Sequence, residues 1–120
     1  MTPESKQIIV PEKGAVIGLV FLSAVEMNVV GLGKLMAFAD EHGNVQPSIA
    51  AWIREANAAN WTSPSDIQDR YTHAHFVSAT RVLFPVTRGV CWVDVKINYW
   101  TKVVLIVRIG TSAESTSWRF

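Results

Sequence analysis

The hydrophobic positions in the first part of the chain follow the 3.6-residue period of helices. A short β-branched run at residues 27–30 predicts a strand, and an apolar stripe then predicts a helix that ends near His42. A second stripe follows Pro47, and Ser63-Pro64 predicts the start of a third, short helix. The stripe positions of the first two helices are Leu32, Leu35, Met36, Ala39, Ile49, Trp52, Ile53 and Ala56.

After the helices the period changes to two, which is typical of strands. Residues 81–86, 91–99 and 102–109 predict three strands joined by short loops, with Trp100 in the last turn. Pro85 cannot donate a hydrogen bond to a ladder, so we expect its strand at an edge or a bulge. This order predicts an α+β fold in which an N-terminal strand and helices pack on one face of a small antiparallel sheet.

Charge is unevenly distributed along the chain. Residues 81–120 carry six basic and two acidic side chains, although the net charge of all 120 residues is only +1. Alternation along the strands assigns a set of these cations to the sheet face opposite the helices, called the open face below. The predicted residues of this face are Trp92, Asp94, Lys96 and Asn98 on one strand and Lys102, Val104, Ile106 and Arg108 on the next, with Arg81 at the margin. Such a face suits a polyanion, although composition alone favours an ordinary solvated surface, because basic faces are common.

Trp92 has two interpretations from the sequence. Beside cations, an aromatic ring suits base stacking with single-stranded RNA. Alternatively, the apolar run at residues 15–25 covers it. The other large aromatic residues at stripe or alternating positions are expected in the core, namely Phe38, Trp52, Trp61 and Phe84.

Several classes of protein are excluded or disfavoured. The single cysteine, Cys91, excludes an internal disulfide and a Cys-rich zinc module, and it suits a reducing cytoplasm. His73 and His75 have spacing that two metal ligands can use, but the sequence offers no third ligand nearby, so we expect surface histidines and no metal or other cofactor. No apolar run approaches the roughly 20 residues that span a bilayer, so we expect no membrane partner.

Residues 1–26 stand apart from the rest. The apolar run within them has the length of a signal-peptide core but lacks a basic segment before it and a cleavage site after it. A buried strand, a short helix and an extension upstream of the true start all remain open. We therefore divide the chain into an N-terminal extension at residues 1–26 and a domain at residues 27–120.

Several segments of this domain match one family. The most specific reads W-I-R-E-A-x-x-A-x-W-x-S-P-x-D-I at residues 52–67. The others read L-M-A-F at 35–38, R-V-L-F at 81–84, V-K-I-N-Y at 95–99 and I-G-T-x-A-E at 109–114. Over residues 27–114 the chain resembles the HigB toxins of bacterial type II toxin–antitoxin pairs, within the wider RelE/ParE group.

The resemblance implies an mRNA interferase, an endoribonuclease that acts on mRNA, often on the ribosome, and inhibits translation. The implied chemistry is metal-free: a ribose 2′-hydroxyl attacks the adjacent phosphorus and leaves a cyclic phosphate. This reaction needs a proton acceptor and cations that face the developing negative charge. The resemblance also implies a HigA-type antitoxin with a helix-turn-helix domain as the partner.

Three positions depart from the family pattern. Trp92 stands where an arginine is usual, and Ser112 and Ser115 stand where histidine and tyrosine are usual. One hypothesis is an active enzyme that uses the remaining groups. In it the catalytic residues are Lys96, Arg108 and Glu114, and the RNA-binding residues are Arg81, Arg88, Trp92 and Lys102. The alternative is a catalytically degenerate toxin fold that only binds antitoxin or RNA.

Overall fold

A computed structural model describes residues 26–120. Interpretations of the apolar run at residues 15–25, including its packing over Trp92, lie outside the described residues. The elements in chain order are β1 (Asn28–Val30), α1 (Leu32–Glu41), α2 (Gln46–Ala58), α3 (Pro64–Arg70), β2 (His75–Ser78), β3 (Arg81–Val86), β4 (Cys91–Asn98), β5 (Val103–Thr111) and α4 (Ser112–Ser115). None of the helices in this part of the chain has the length and apolar character needed to cross a membrane.

The predicted α+β fold is confirmed, with one difference in how the first strand is used. The five strands form a single sheet in the order β1-β5-β4-β3-β2. β1 does not lie on the face of the sheet but forms its edge, paired in parallel with β5, so the sheet is mixed. The backbone of β1 gains its hydrogen bonds there: the Asn28 N–H donates to the Lys102 carbonyl at 2.7 Å.

The helices bury their apolar stripes against one face of this sheet. In α2 the stripe is as predicted, with Ile49, Trp52 and Ala56 buried. In α1 the buried residues include Phe38, whereas Met36 is 46% exposed, so its assignment to the stripe was wrong. Phe38 lies on the buried face because a period of 3.6 places it next to Leu35.

The predicted aromatic core is also confirmed. Phe84 of β3 contacts both tryptophans of the helical layer, stacking on Trp61 at 5.7 Å between ring centroids and lying 5.3 Å from Trp52. Tyr71, at the end of α3, packs edge-on against Phe84 at 5.0 Å. These rings come from both the helical layer and the sheet, so their contacts hold the two layers of the fold together.

β5 departs from simple alternation. Asp94 pairs with Arg108 and Val95 with Ile106, which leaves Val107 as an extra residue in β5. As a result Ile106 and Val104 are buried among the helices, and their assignment to the open face was wrong. The bulge reverses the alternation, so Arg108 still lies on the open face, together with Leu105.

Pro85 lies at a position where no neighbouring strand among residues 26–120 needs a hydrogen bond from its backbone nitrogen. It is opposite Trp92 on the β4 side of its strand. On the other side, the pairs between β2 and β3 extend only from Arg81 to Leu83. The prediction that Pro85 lies at an edge is therefore confirmed for its end of β3.

Candidate functional site

The buried carboxylate of Asp94 binds two arginines of the open face, Arg81 and Arg108. Asp94 is fully buried, with 0% exposure. Arg81 donates to it through two nitrogens, at 2.6 and 2.8 Å, and Arg108 donates through Nε at 2.8 Å. The hydrogen bonds from Arg81 to Asp94 raise the pKa of the guanidinium. Asp94 therefore cancels one positive charge and fixes the orientation of both arginines.

The end of the chain packs over the same arginines. The Arg108 guanidinium carbon lies 4.7 Å from the centroid of the Trp118 ring. Phe120 lies over both guanidiniums, at 5.1 Å from Arg81 and 5.3 Å from Arg108. The Arg119 carbonyl accepts a hydrogen bond from Arg108 at 3.0 Å. We call residues 118–120 the C-terminal tail; it covers part of the face that the helices leave bare.

Gly110 allows this tail to approach the sheet. A Cβ atom at this position would lie 2.9 Å from the Trp118 ring and 3.0 Å from Glu114 Oε1. Carbon atoms of real side chains do not approach so closely, so any larger residue at Gly110 would displace the tail or α4.

A groove remains open on the other half of this face. It has a volume of about 660 Å³ and is lined by Lys96, Arg81, Thr80, Thr101 and Leu105, among others. Lys96 and Arg81 are opposite each other on β4 and β3, and the Lys96 side chain is exposed. The groove therefore combines a cross-strand pair of cations, the three hydroxyl groups of Ser78, Thr80 and Thr101, and an exposed apolar side chain. We call it the Lys96 groove.

Lys102 lies elsewhere. Its Nζ donates to the Trp61 carbonyl at 3.0 Å, on the side of the sheet that carries the helices. Its assignment to the open face with Lys96 and Arg108 was wrong. Lys102 precedes β5 and has a φ of +63°, so the alternation of the strand does not extend to it.

Two other predicted RNA-binding residues occupy different places. Arg88 is exposed in the turn between β3 and β4, where it has a φ of +57°. Trp92 lies on the open face and is half-buried between Pro85 and Gly110 of the neighbouring strands. Neither residue lines the Lys96 groove.

Glu114, the predicted proton acceptor, takes part in a capping box at the start of α4. Its Oε1 accepts the Thr111 N–H at 2.7 Å, and its own N–H donates to Thr111 Oγ1 at 3.2 Å. The sequence contains the signal for this arrangement, because Thr-x-x-Glu is the pattern of a capping box. Ser112 is exposed in this turn, and Ser115 donates its hydroxyl to the Ser112 carbonyl at 2.7 Å.

The residues with metal-binding or redox potential are dispersed. Within residues 26–120 no three His, Cys, Asp or Glu side chains are grouped closely enough to hold a metal ion. His73 and His75 are both exposed. Cys91 is buried in β4, and burial raises the pKa of its thiol.

Comparison with known families identifies the domain. The model of the HigB toxin family, described as the RelE-like toxic component of a toxin–antitoxin system, matches residues 45–116. This match includes the Lys96 groove and Asp94 with its two arginines, Arg81 and Arg108, but not the C-terminal tail. No curated protein matches the chain significantly. The chain belongs to the HigB family of RelE-like toxins, and this membership implies an antitoxin partner.

Proposed function

We propose that this toxin is an mRNA interferase that binds single-stranded mRNA on the open face and cleaves it. The observation that carries the proposal is the Lys96 groove, in which Lys96 and Arg81 lie side by side on adjacent strands. A phosphodiester bound there meets the exposed ammonium group of Lys96 and the guanidinium of Arg81, whose charge Asp94 partly offsets. The neighbouring hydroxyl groups suit the sugar edge of RNA, where the 2′-hydroxyl both donates and accepts hydrogen bonds.

The proposed reaction is an attack by the ribose 2′-oxygen on the adjacent phosphorus. A bond forms between these two atoms and the bond from phosphorus to the 5′-oxygen breaks. The 2′-hydroxyl loses its proton to water and the departing 5′-oxygen takes up a proton from water, because no carboxylate or imidazole from residues 26–120 lines the Lys96 groove. The products are a cyclic phosphate and a free 5′-hydroxyl. Lys96 stabilises the additional negative charge on the phosphorane oxygens. Arg81, whose orientation is fixed by its hydrogen bonds to Asp94, stabilises the same charge. Arg108 does not line the groove, but it is bound to the same carboxylate of Asp94 and adds positive charge to this face.

A second candidate function follows from how Glu114 is bound. Its carboxylate accepts the backbone hydrogen bond at the start of α4, which reduces its availability as a proton acceptor. Ser112 and Ser115 carry hydroxyl groups that do not ionise near neutral pH, so they cannot replace a histidine as proton acceptor or donor. These observations favour a catalytically degenerate toxin fold that retains binding to antitoxin or RNA and lacks cleavage.

The partners in the first proposal are mRNA, free or on the ribosome, and a HigA-type antitoxin with a helix-turn-helix domain. The site of action is the cytoplasm, where mRNA is translated. A neighbouring reading frame that encodes a short helix-turn-helix protein would support this antitoxin.

Induced expression with primer-extension mapping of cellular transcripts separates the two functions. An active interferase produces new 5′ ends in mRNA within the first minutes of induction and arrests growth. Intact transcripts and normal growth, together with retained binding to antitoxin or RNA, support the degenerate fold. If the purified protein binds neither, both proposals fail.

A further inference from the structure

The turn between β4 and β5 displays an indole to solvent. Trp100 is 92% exposed, more than any other large hydrophobic side chain within residues 26–120. Turn positions usually hold small polar residues, because these satisfy the backbone of the turn without exposing apolar surface. Packing does not explain Trp100, since its ring has almost no contact with the rest of the domain. A single exposed hydrophobic residue is not by itself a binding site, so the surroundings of Trp100 decide what it can bind.

The turn holds this ring on a fixed backbone. The Asn98 side-chain oxygen accepts hydrogen bonds from the N–H groups of Trp100, at 3.0 Å, and Thr101, at 2.9 Å. On one flank, the Tyr99 hydroxyl donates to the Ala79 carbonyl at 2.6 Å. On the other flank, Lys102 is tied to the Trp61 carbonyl. The indole is therefore presented on a turn that is already ordered, which reduces the entropy lost on binding.

A groove lies beside the exposed ring. Trp100, Tyr99, Lys102, Asn60 and Thr62 line a volume of about 630 Å³. Two aromatic side chains offer stacking surfaces, and an amide and a hydroxyl offer partners for the polar edge of a base. This combination is what proteins use to hold an unpaired nucleobase.

The charges around this groove favour a base rather than a phosphate. Lys102 is already bound to a carbonyl oxygen. The Asp66 carboxylate is next to the groove, accepting hydrogen bonds from the Thr62 N–H at 2.9 Å and from its hydroxyl at 2.8 Å. A carboxylate repels a phosphate but tolerates a neutral base. The phosphates of a bound strand are better placed in the Lys96 groove.

The two grooves meet at one turn. Thr101 lines the Lys96 groove, and Trp100, the preceding residue, lines the second groove. We propose that Trp100 is a base-stacking residue: when an RNA strand lies with a phosphate between Lys96 and Arg81, a neighbouring nucleotide passes over the turn and stacks its base on Trp100. This inference rests on the proposed function, because it requires RNA in the Lys96 groove.

The test compares purified variants in binding a short single-stranded RNA in which 2′-O-methyl groups block cleavage. Trp100→Ala is expected to weaken binding by about tenfold, and Trp100→Phe to restore most of the affinity. Stacking releases no counterions, so Trp100→Ala leaves the dependence of affinity on salt unchanged. Lys96→Gln, in contrast, lowers the slope of log affinity against log salt by about one. Val90→Ala, at a half-exposed position in the opposite hairpin, is the matched control and leaves both quantities unchanged.

A second measurement locates the contact on the RNA. One nucleotide at a time is replaced by an abasic residue. One such position is expected to weaken binding to the unmodified protein and to have no further effect on Trp100→Ala. Non-additivity of this kind shows that the ring and the missing base contact each other.

The outcomes are distinguishable. Equal affinities for the unmodified protein and Trp100→Ala, with the salt slope of Lys96→Gln reduced, overturn the role of Trp100 and leave the proposed function intact. Unchanged RNA binding with lost capture of the antitoxin assigns the turn to a protein partner and also overturns the inference. If the unmodified protein at low salt binds neither this RNA nor the same RNA with free 2′-hydroxyl groups, both are overturned.

Discussion

Arg81 and Lys96 are directly opposite each other on adjacent strands, and Asp94 hydrogen-bonds only one of them. Two like charges in such a pair repel each other unless a counterion intervenes. The buried Asp94, which Arg81 shares with Arg108, offsets part of the charge of Arg81, whereas the Lys96 side chain is exposed to solvent and accessible to a ligand. The arrangement therefore keeps a net positive charge in the groove while the sheet remains stable.

The first prediction concerns Lys96. Lys96→Ala is expected to abolish growth arrest, or to weaken RNA binding if the toxin is degenerate, because it removes the exposed charge of the groove. The free energy of unfolding should change by less than about 0.5 kcal/mol, since the side chain is on the surface. Lys34→Ala, in the exposed part of α1, is the control. A full toxic effect from Lys96→Ala would contradict the placement of RNA on this face.

The second prediction concerns the buried carboxylate. Asp94→Asn removes the charge that holds Arg81 and Arg108, and we expect it to lower the free energy of unfolding by about 3 kcal/mol. Urea denaturation measures the change, and Asp69→Asn, at an exposed position of α3, is the control. A stability close to that of the unmodified protein would show that the two arginines do not depend on Asp94.

The third prediction concerns the C-terminal tail. A chain with Trp118→Ala and Phe120→Ala lacks the two rings that lie over Arg81 and Arg108 but keeps the charge of Arg119. We expect it to bind single-stranded RNA more tightly than the unmodified chain and with a steeper dependence on salt, because both guanidiniums become more accessible. Fluorescence anisotropy at several salt concentrations measures both effects. Equal slopes for the two chains would mean that the tail does not shield these charges.

The fourth prediction separates the two candidate functions. If the unmodified protein proves non-toxic, the combination of Trp92→Arg and Ser112→His should restore cleavage, because it returns a cation and a group that titrates near neutral pH. Each single change is the control for the other. Growth and transcript mapping are the measurements, and toxicity of the unmodified chain would itself eliminate the degenerate fold.

The fifth prediction concerns stability at alkaline pH. Burial raises the pKa of Cys91, Tyr71 and Tyr99 above the values of the unfolded chain. The unfolded state therefore loses protons first, beginning with cysteine at about pH 8.5, and stability falls as the pH rises from there. Urea unfolding at pH 7.5 and at pH 9.5 should show this loss. A higher stability at the alkaline pH would contradict it.

The parts of the fold that depend on local periodicity were predictable. The stripe of α2 and the alternation of β4 placed Trp52 in the core and Lys96 on the open face, because both elements are regular over their whole length. The same reasoning failed in β5, where one extra residue at Val107 reverses the alternation. It also failed for Lys102, which lies in a turn.

The chemistry of the open face was only partly predictable. Alternation places Asp94 beside Lys96, yet nothing in the sequence pattern shows that two arginines from different strands converge on it. The cover formed by Trp118 and Phe120 depends on contacts between segments that are distant in the chain. Such contacts leave no periodic signal, so a prediction from the sequence overestimates the solvent exposure of this face.

The bulge in β5 determines where the domain tolerates changes in length. Ile106 lies in the core and Arg108 reaches Asp94 on the opposite side, although a regular strand would direct both to the same side. Removal of the single residue between them would either expose Ile106 or separate Arg108 from Asp94. Insertions and deletions among related sequences are therefore expected in the hairpin loops and to be absent between Ile106 and Arg108.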